Sequence, residues 1–80
     1  MNRGFQLKIV LDPFSLLFVN KTGVLKRIYC PFLVKCRFET ENIKFGQTLA
    51  VDMVKTDLRQ GITYVIKGKS YYHRYFEILA

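Results

Sequence analysis

The last nineteen residues, 62–80, constrain the fold of this chain more than any other segment. Apolar side chains at 62–66 recur with the period of two that is typical of a β-strand. Gly68 can form the tight turn of a hairpin, and a returning strand follows it. Residues 72–75 do not alternate and fit a single 3₁₀ turn, after which a last short strand covers 76–79. The segment therefore predicts antiparallel β-structure.

Alternation with period two continues through most of the remaining sequence. Phe38, Phe45 and Met53 belong to the apolar sets that are expected to face inward. Residues 14–19 are apolar on both sides, so a short helix is an alternative to a strand there. Turns are expected at residues 20–23 and at Gly46, where glycine can take a positive φ. The predicted strands outside the closing segment cover residues 5–11, 14–19, 24–29, 32–38 and 48–55.

The length and composition indicate one packed domain over residues 1–80. Half of the residues are hydrophobic and 15% are aromatic, which argues against disorder. The longest apolar region, residues 9–19, is interrupted and too short to span a bilayer, and no secretory cleavage site follows it. A cytoplasmic protein without a membrane partner is therefore expected. Cys30 and Cys36 would lie about 20 Å apart in an extended strand, so they are expected to be reduced.

Positive charge is concentrated in the first half of the chain. Thirteen Lys and Arg against six Asp and Glu give a net charge of +7. Residues 1–37 carry seven basic groups and one acid, so they hold +6 of that total. Such a field favours polyanions such as RNA, DNA or an anionic membrane surface. The alternative is that lysine and arginine simply keep a small apolar protein in solution.

The sequence contains no pattern that is typical of an active site or of a metal centre. His73 is the only histidine, and Cys30, Cys36 and His73 would supply at most three zinc ligands at an unsuitable spacing. Neither a phosphate-binding glycine loop nor a nucleophile elbow is present. We therefore expect a protein that is not an enzyme and that needs no cofactor and no metal.

The order of predicted elements resembles that of small bacterial and phage proteins with an SH3-like barrel. The resemblance covers residues 31–79. Its motifs are VKC at 34–36, G-x-x-L-x-V at 46–51, Y-x-I at 64–66, G-x-x-Y-Y at 68–72 and F-E-I at 76–78. It implies an all-β fold in which a small SH3-like barrel, residues 31–80, follows an N-terminal β extension, residues 1–30. The chain has no tryptophan, unlike SH3 domains that bind proline-rich peptides, so the nucleic-acid-binding relatives are the better analogy.

The first functional hypothesis is a module that binds RNA, as part of a ribosome or another ribonucleoprotein. Basic side chains would contact phosphates, and exposed tyrosines would stack on bases. Alternation requires at least two exposed aromatic side chains near the C-terminus, with Tyr71 and Tyr75 as the candidates. The alternative is that these tyrosines only pack on the sheet surface. The candidate residues are Lys21, Lys26, Arg27, Lys35, Arg37, Lys67, Lys69, Tyr71, Arg74 and Tyr75.

The second hypothesis is a module for protein interaction, such as an accessory protein of a phage or mobile element. Its apolar N-terminal segment would bind a protein partner or a second copy. The placement of Leu17, Val19, Leu25 and Tyr29 distinguishes the two hypotheses. One exposed apolar patch would favour protein contact, whereas one basic face over residues 21–37 would favour RNA.

Overall fold

A computed structural model of the protein describes residues 7–59 and 61–80. The prediction of an all-β fold is confirmed, and the helix alternative for residues 14–19 is wrong. Within the described residues, no helix is long and apolar enough to cross a membrane. The elements are β1 (Lys8–Asp12), β2 (Ser15–Val19), β3 (Leu25–Tyr29), β4 (Phe32–Cys36), β5 (Thr48–Val51), β6 (Met53–Asp57), β7 (Gly61–Ile66), β8 (Lys69–Tyr72), a 3₁₀ helix (His73–Tyr75) and β9 (Phe76–Ile78).

The strands form three antiparallel sheets of three strands each. Their strand orders are β1-β2-β3, β5-β4-β9 and β6-β7-β8. The 3₁₀ helix lies where residues 72–75 predicted it, and it turns the chain so that β9 returns to pair with β4. Within residues 7–59 and 61–80, none of the three sheets closes on itself as a barrel. The first two residues of the predicted strand 5–11 lie outside the described residues.

Two hairpin turns fix the register of the neighbouring strands. Between β2 and β3, the Asn20 side-chain oxygen accepts hydrogen bonds from the backbone N–H groups of Thr22 and Val24, at 3.0 and 2.9 Å. Gly23 completes this turn with a φ of 84°. Between β7 and β8, two residues with positive φ connect the strands, Lys67 at 52° and Gly68 at 81°. Two such residues in succession are what a type I′ turn requires.

One hydrophobic core joins the N-terminal sheet to the rest of the molecule. Leu16 and Phe18 of β2 are almost fully buried in it. Tyr64 lies at its centre, with the Phe32 ring perpendicular to it at 5.6 Å. The buried hydrophobic residues are Leu16, Phe18, Phe32, Val34, Cys36, Ile43, Leu49, Val51, Val54, Tyr64, Ile66, Phe76 and Ile78.

Three inward positions that were predicted from alternation are wrong. Phe38 is exposed because β4 ends at Cys36, so the alternation of that strand no longer applies. Phe45, in the loop before Gly46, is exposed as well. Met53 is only half-buried, and Val54 takes the core position instead. Asp52 separates β5 from β6, and the alternation shifts by one residue there.

Candidate interaction surfaces

The outer face of the N-terminal sheet is apolar. Ile9 lies opposite Leu17, and Val19 lies opposite Leu25, so these four side chains share one side of the sheet. The other side carries Leu16 and Phe18 into the core. Strand β2 is therefore apolar on both sides, as the sequence indicated. We name the outer surface the apolar sheet face, and it consists of Leu7, Ile9, Leu17, Val19, Leu25 and Tyr29.

The apolar sheet face is solvent-exposed along both of its edges. Leu7 and Ile9 on the β1 side are about half exposed. On the β3 side, Leu25 is 60% exposed and Tyr29 is 63% exposed. Leu17 and Val19 in the middle strand are half-buried. Contiguous exposed apolar side chains of this kind occur at protein-contact and membrane-contact sites and in ligand-binding grooves.

An ion pair lies within this face, because Arg27 is opposite Leu17 on the same side of the sheet. The Arg27 guanidinium donates to Asp12 Oδ2 and to Ser15 Oγ, both at 3.0 Å, and it lies 5.2 Å from the centre of the Tyr29 ring. Hydrogen bonds from the Phe14 backbone N–H and from the Ser15 hydroxyl, with Arg27 nearby, hold the pKa of Asp12 below its usual range. The charges of Arg27 and Asp12 therefore compensate each other.

Of the five basic residues in 21–37, three lie around Glu77 and two lie on the N-terminal sheet. Arg27 lies on the apolar sheet face, whereas its neighbour Lys26 lies opposite Phe18 on the other side of the sheet. Lys21 and Arg37 instead approach Glu77 on β9.

Three cations surround Glu77. Lys21 Nζ lies 2.8 Å from Glu77 Oε2, and the Arg37 guanidinium lies 3.6 Å from Oε1. Lys35 is directly opposite Glu77 in the β4–β9 pairing. The hydrogen bond from Lys21 contributes most to lowering the pKa of Glu77, and the charges of Lys21, Arg37 and Lys35 lower it further. We call these four residues the Glu77 cluster, and three cations against one carboxylate leave it with a charge of +2.

An aromatic pair, of which Phe38 is the exposed member, lies beside the Glu77 cluster. Phe38 is 61% exposed, and its ring centre is 6.1 Å from that of Tyr75. The backbone N–H groups of Arg37 and Phe38 both donate to the Tyr75 carbonyl, at 2.7 and 3.3 Å. Alternation continued from residues 32–36 predicted Phe38 in the core. The first sign against it in the sequence is Thr40, a polar residue at the next inward position of the same pattern.

The remaining candidates for RNA contact lie elsewhere. Lys67 and Lys69 are exposed in and beside the β7–β8 turn. Arg74 is exposed in the 3₁₀ helix. Tyr71 was expected at the surface, but it is half-buried and packs edge-on against Phe76 at 6.0 Å. Tyr75 is also half-buried, so its ring is only partly available for stacking.

Sequence reasoning missed a contact between the first strand and the 3₁₀ helix. Lys8 Nζ donates to His73 Nδ1 at 2.8 Å and lies 5.6 Å from the centre of the Tyr64 ring. Burial, with Arg74 nearby, lowers the pKa of Lys8 to about 8. Burial, with Lys8 and Arg74 nearby, lowers the pKa of His73 to about 4, so this imidazole is neutral at pH 7. Burial also raises the pKa of Tyr64.

The thiols contribute no further site. Cys36 is buried, and its Sγ donates to the Phe38 carbonyl at 3.0 Å. Cys30 is half-buried, and burial raises the pKa of its thiol. Both are free, as the spacing predicted. Across residues 7–59 and 61–80, no three His, Cys, Asp or Glu side chains lie together as metal ligands would.

The chain was compared with known proteins at the levels of family, sequence and structure. No protein-family model matches it, and neither a curated protein nor a solved structure does.

Proposed function

We propose that this protein is a non-enzymatic, cytoplasmic module for protein interaction that binds through the apolar sheet face. The observation that carries the proposal is the alignment of Leu17, Val19 and Leu25 on one side of the N-terminal sheet, beside Leu7 and Ile9. Single exposed hydrophobic residues need no explanation, but a contiguous set on one sheet marks a contact site.

The charge around the face supports the same proposal. The protein has a net charge of +7, and one of its cations, Arg27, lies on this face opposite Leu17. Its charge is compensated there, because Arg27 is bound to Asp12. A surface that has little net charge and is rich in aliphatic side chains gains free energy mainly by excluding water.

We also propose that residues 31–79 form an SH3-like barrel, for which the N-terminal sheet provides the binding surface. Support comes from the pairing of β9 with β4 directly after the 3₁₀ helix, which matches the order of elements in that resemblance. NMR contacts that join β5 to β6 as one bent strand shared by two sheets would support the barrel. Two sheets without a shared strand would contradict it.

Photo-crosslinking in the cells that make the protein tests the interaction. A benzophenone amino acid replaces Leu25, which is exposed within the face, and in a control it replaces Leu58, which is fully exposed outside it. We expect a discrete protein adduct from position 25 and none of that mass from position 58. The absence of an adduct at position 25, or equal adducts at both positions, would contradict the proposal.

RNA binding is the second candidate, and the position of Phe38 favours it. The exposed ring lies next to Arg37, which belongs to the Glu77 cluster. Single-stranded nucleic acid is bound by this combination, since bases stack on aromatic rings while cations neutralise the phosphates. Because the cluster contributes three cations, affinity for single-stranded RNA should fall about 20-fold between roughly 50 and 200 mM salt.

Four variants test this second candidate with a mixed pool of single-stranded RNA. Phe38→Ala should weaken binding at least about fivefold, which corresponds to the loss of one stacked base. Lys35→Gln should weaken it more than Lys55→Gln, although both remove one exposed charge. Glu77→Gln should strengthen it, because the carboxylate competes with phosphate. Equal effects at Lys35 and Lys55 would mean that any RNA binding depends on net charge alone.

A further inference from the structure

We infer that the partner of the apolar sheet face is a second copy of this chain, bound about a two-fold axis. The inference rests on the proposed function, because it names the occupant of the same face. In a two-fold contact each residue meets the same surface on the other copy, so an unpaired charge near the axis would meet its own equivalent. The face meets this condition, because its cation Arg27 is already bound to Asp12.

The charge of the face also argues against an acidic partner. An acidic protein or a polyanion would gain most from unpaired cations, and the chain places those outside the face. Lys26 lies on the opposite side of the sheet, and the surplus positive charge of the Glu77 cluster lies beside β9. Apart from the paired Arg27 and Asp12, the face offers mainly aliphatic side chains, and a second copy offers the same surface in return.

The shape of the face suits sheet-on-sheet packing. Two antiparallel sheets pack face to face about 10 Å apart, with their strands within about 30° of each other. Interlocking aliphatic side chains then fill the space between them. Ile9, Leu17 and Leu25 supply such side chains from all three strands.

The size of the face predicts a weak and reversible dimer. Three strands of about five residues cover roughly 14 by 17 Å. Two such faces bury on the order of 500–1,000 Å² in total, which is below the size of a standard stable interface. We therefore expect a dissociation constant on the order of 100 μM.

The net charge gives the dimer an unusual dependence on salt. Each copy carries +7, so the two copies repel each other at long range. Salt screens that repulsion over about 10 Å at 0.1 M, while it leaves the apolar contact intact. Dimerisation should therefore strengthen as salt is added. Binding to RNA or to an acidic protein would weaken instead.

Sedimentation equilibrium of the purified chain, over about 20–500 μM protein and at roughly 50 and 500 mM NaCl, tests the inference. We expect monomer and dimer in exchange, with a higher dimer fraction at the higher salt. Leu25→Lys should weaken the dimer at least about tenfold, because each copy would bring a charged side chain into the aliphatic contact. Leu58→Lys makes the same change outside the face and should leave the dimer unchanged. Leu25 is exposed, so the variant should fold, and circular dichroism checks this.

The outcomes separate this inference from the proposed function. A chain that stays monomeric at all concentrations overturns the inference. A dimer whose dissociation constant is unchanged by Leu25→Lys, or increases with salt, overturns it as well. If the crosslink at position 25 then joins a different protein, the proposed function stands without the self-association. If position 25 gives no adduct and the chain is monomeric, both fail. A crosslinked species of twice the chain mass supports both.

Discussion

The N-terminal sheet and the β5-β4-β9 sheet contribute to one core, yet their outer faces differ. On β4, the outward Lys35 lies beside Glu77 in a group of charged side chains. On β2, the outward Leu17 and Val19 lie among further aliphatic residues. The comparison teaches that alternation identifies the side of a strand that enters the core. It does not tell whether the other side faces water or a partner.

The largest effect on stability is expected from a substitution in the core that the two sheets share. Phe18 is 1% exposed and lies in the same cluster as Val34. Phe18→Ala should lower the free energy of unfolding by about 3–5 kcal/mol, because it leaves a large cavity. Urea denaturation measures the loss. If the alanine variant does not fold, Phe18→Leu can be measured instead, and it should lose less stability because it keeps more apolar volume.

The matched control for this first prediction is Leu25→Ala on the outer face of the same sheet. Because Leu25 is exposed in the monomer, the control should change the stability at low protein concentration by no more than about 0.5 kcal/mol. A Phe18 variant as stable as the Leu25 variant would mean that the N-terminal sheet is an appendage. The two sheets would then not share a common core.

The sequence predicted the elements with local causes and missed those that depend on tertiary contacts. The alternation of β4, the turn at Asn20–Gly23 and the 3₁₀ turn all follow from neighbouring residues, and the structure contains each of them. Phe38 was assigned to the core because alternation does not reveal where a strand ends. The Lys8 to His73 contact joins residues 65 positions apart, so no local pattern could indicate it.

The candidate sites divide in the same way. Opposite charges that meet across strands, such as Lys35 and Glu77, need the register, which sequence alone does not supply. The apolar sheet face could be named as a possibility from Leu17, Val19, Leu25 and Tyr29. Its completion by Leu7 and Ile9 depended on the pairing of β1 with β2. Residue type thus indicated which chemistry was present, and topology decided which residues act together.

A second prediction concerns the junction between the two regions and uses pH. His73 is the only histidine, and its pKa in the folded protein is about 4 against 6.5 when unfolded. Between these values the unfolded chain binds a proton that the folded chain does not, so stability falls as pH decreases from about 6.5 towards 4. The full loss is on the order of 3 kcal/mol. Urea denaturation across this range measures it.

The control for the pH prediction is His73→Gln, for which the slope of stability between about pH 6.5 and 4.5 should be much smaller. The slopes are compared because the variant can differ in absolute stability. Below pH 4.5 the carboxyl groups of Asp12 and Glu77, whose pKa values are lowered, add their own loss. Equal slopes in the two proteins would show that His73 is not buried at the junction as described.

The smallest effect distinguishes the two hairpin turns. The β2–β3 turn is stabilised by three hydrogen bonds to the Asn20 side chain, whereas the β7–β8 turn places Lys67 at a φ of 52° with one long hydrogen bond of 3.4 Å from its backbone N–H to Asp52. Asparagine followed by glycine is preferred in a type I′ turn, since asparagine tolerates positive φ better than lysine. Lys67→Asn should therefore raise the free energy of unfolding by about 0.5–1 kcal/mol. Lys69→Asn, two residues later in strand β8, should give no gain, because asparagine is unfavourable in strands. An equal gain from both variants would mean that reduced positive charge, and not the turn, raises the free energy of unfolding. The two turns would then not differ in backbone strain.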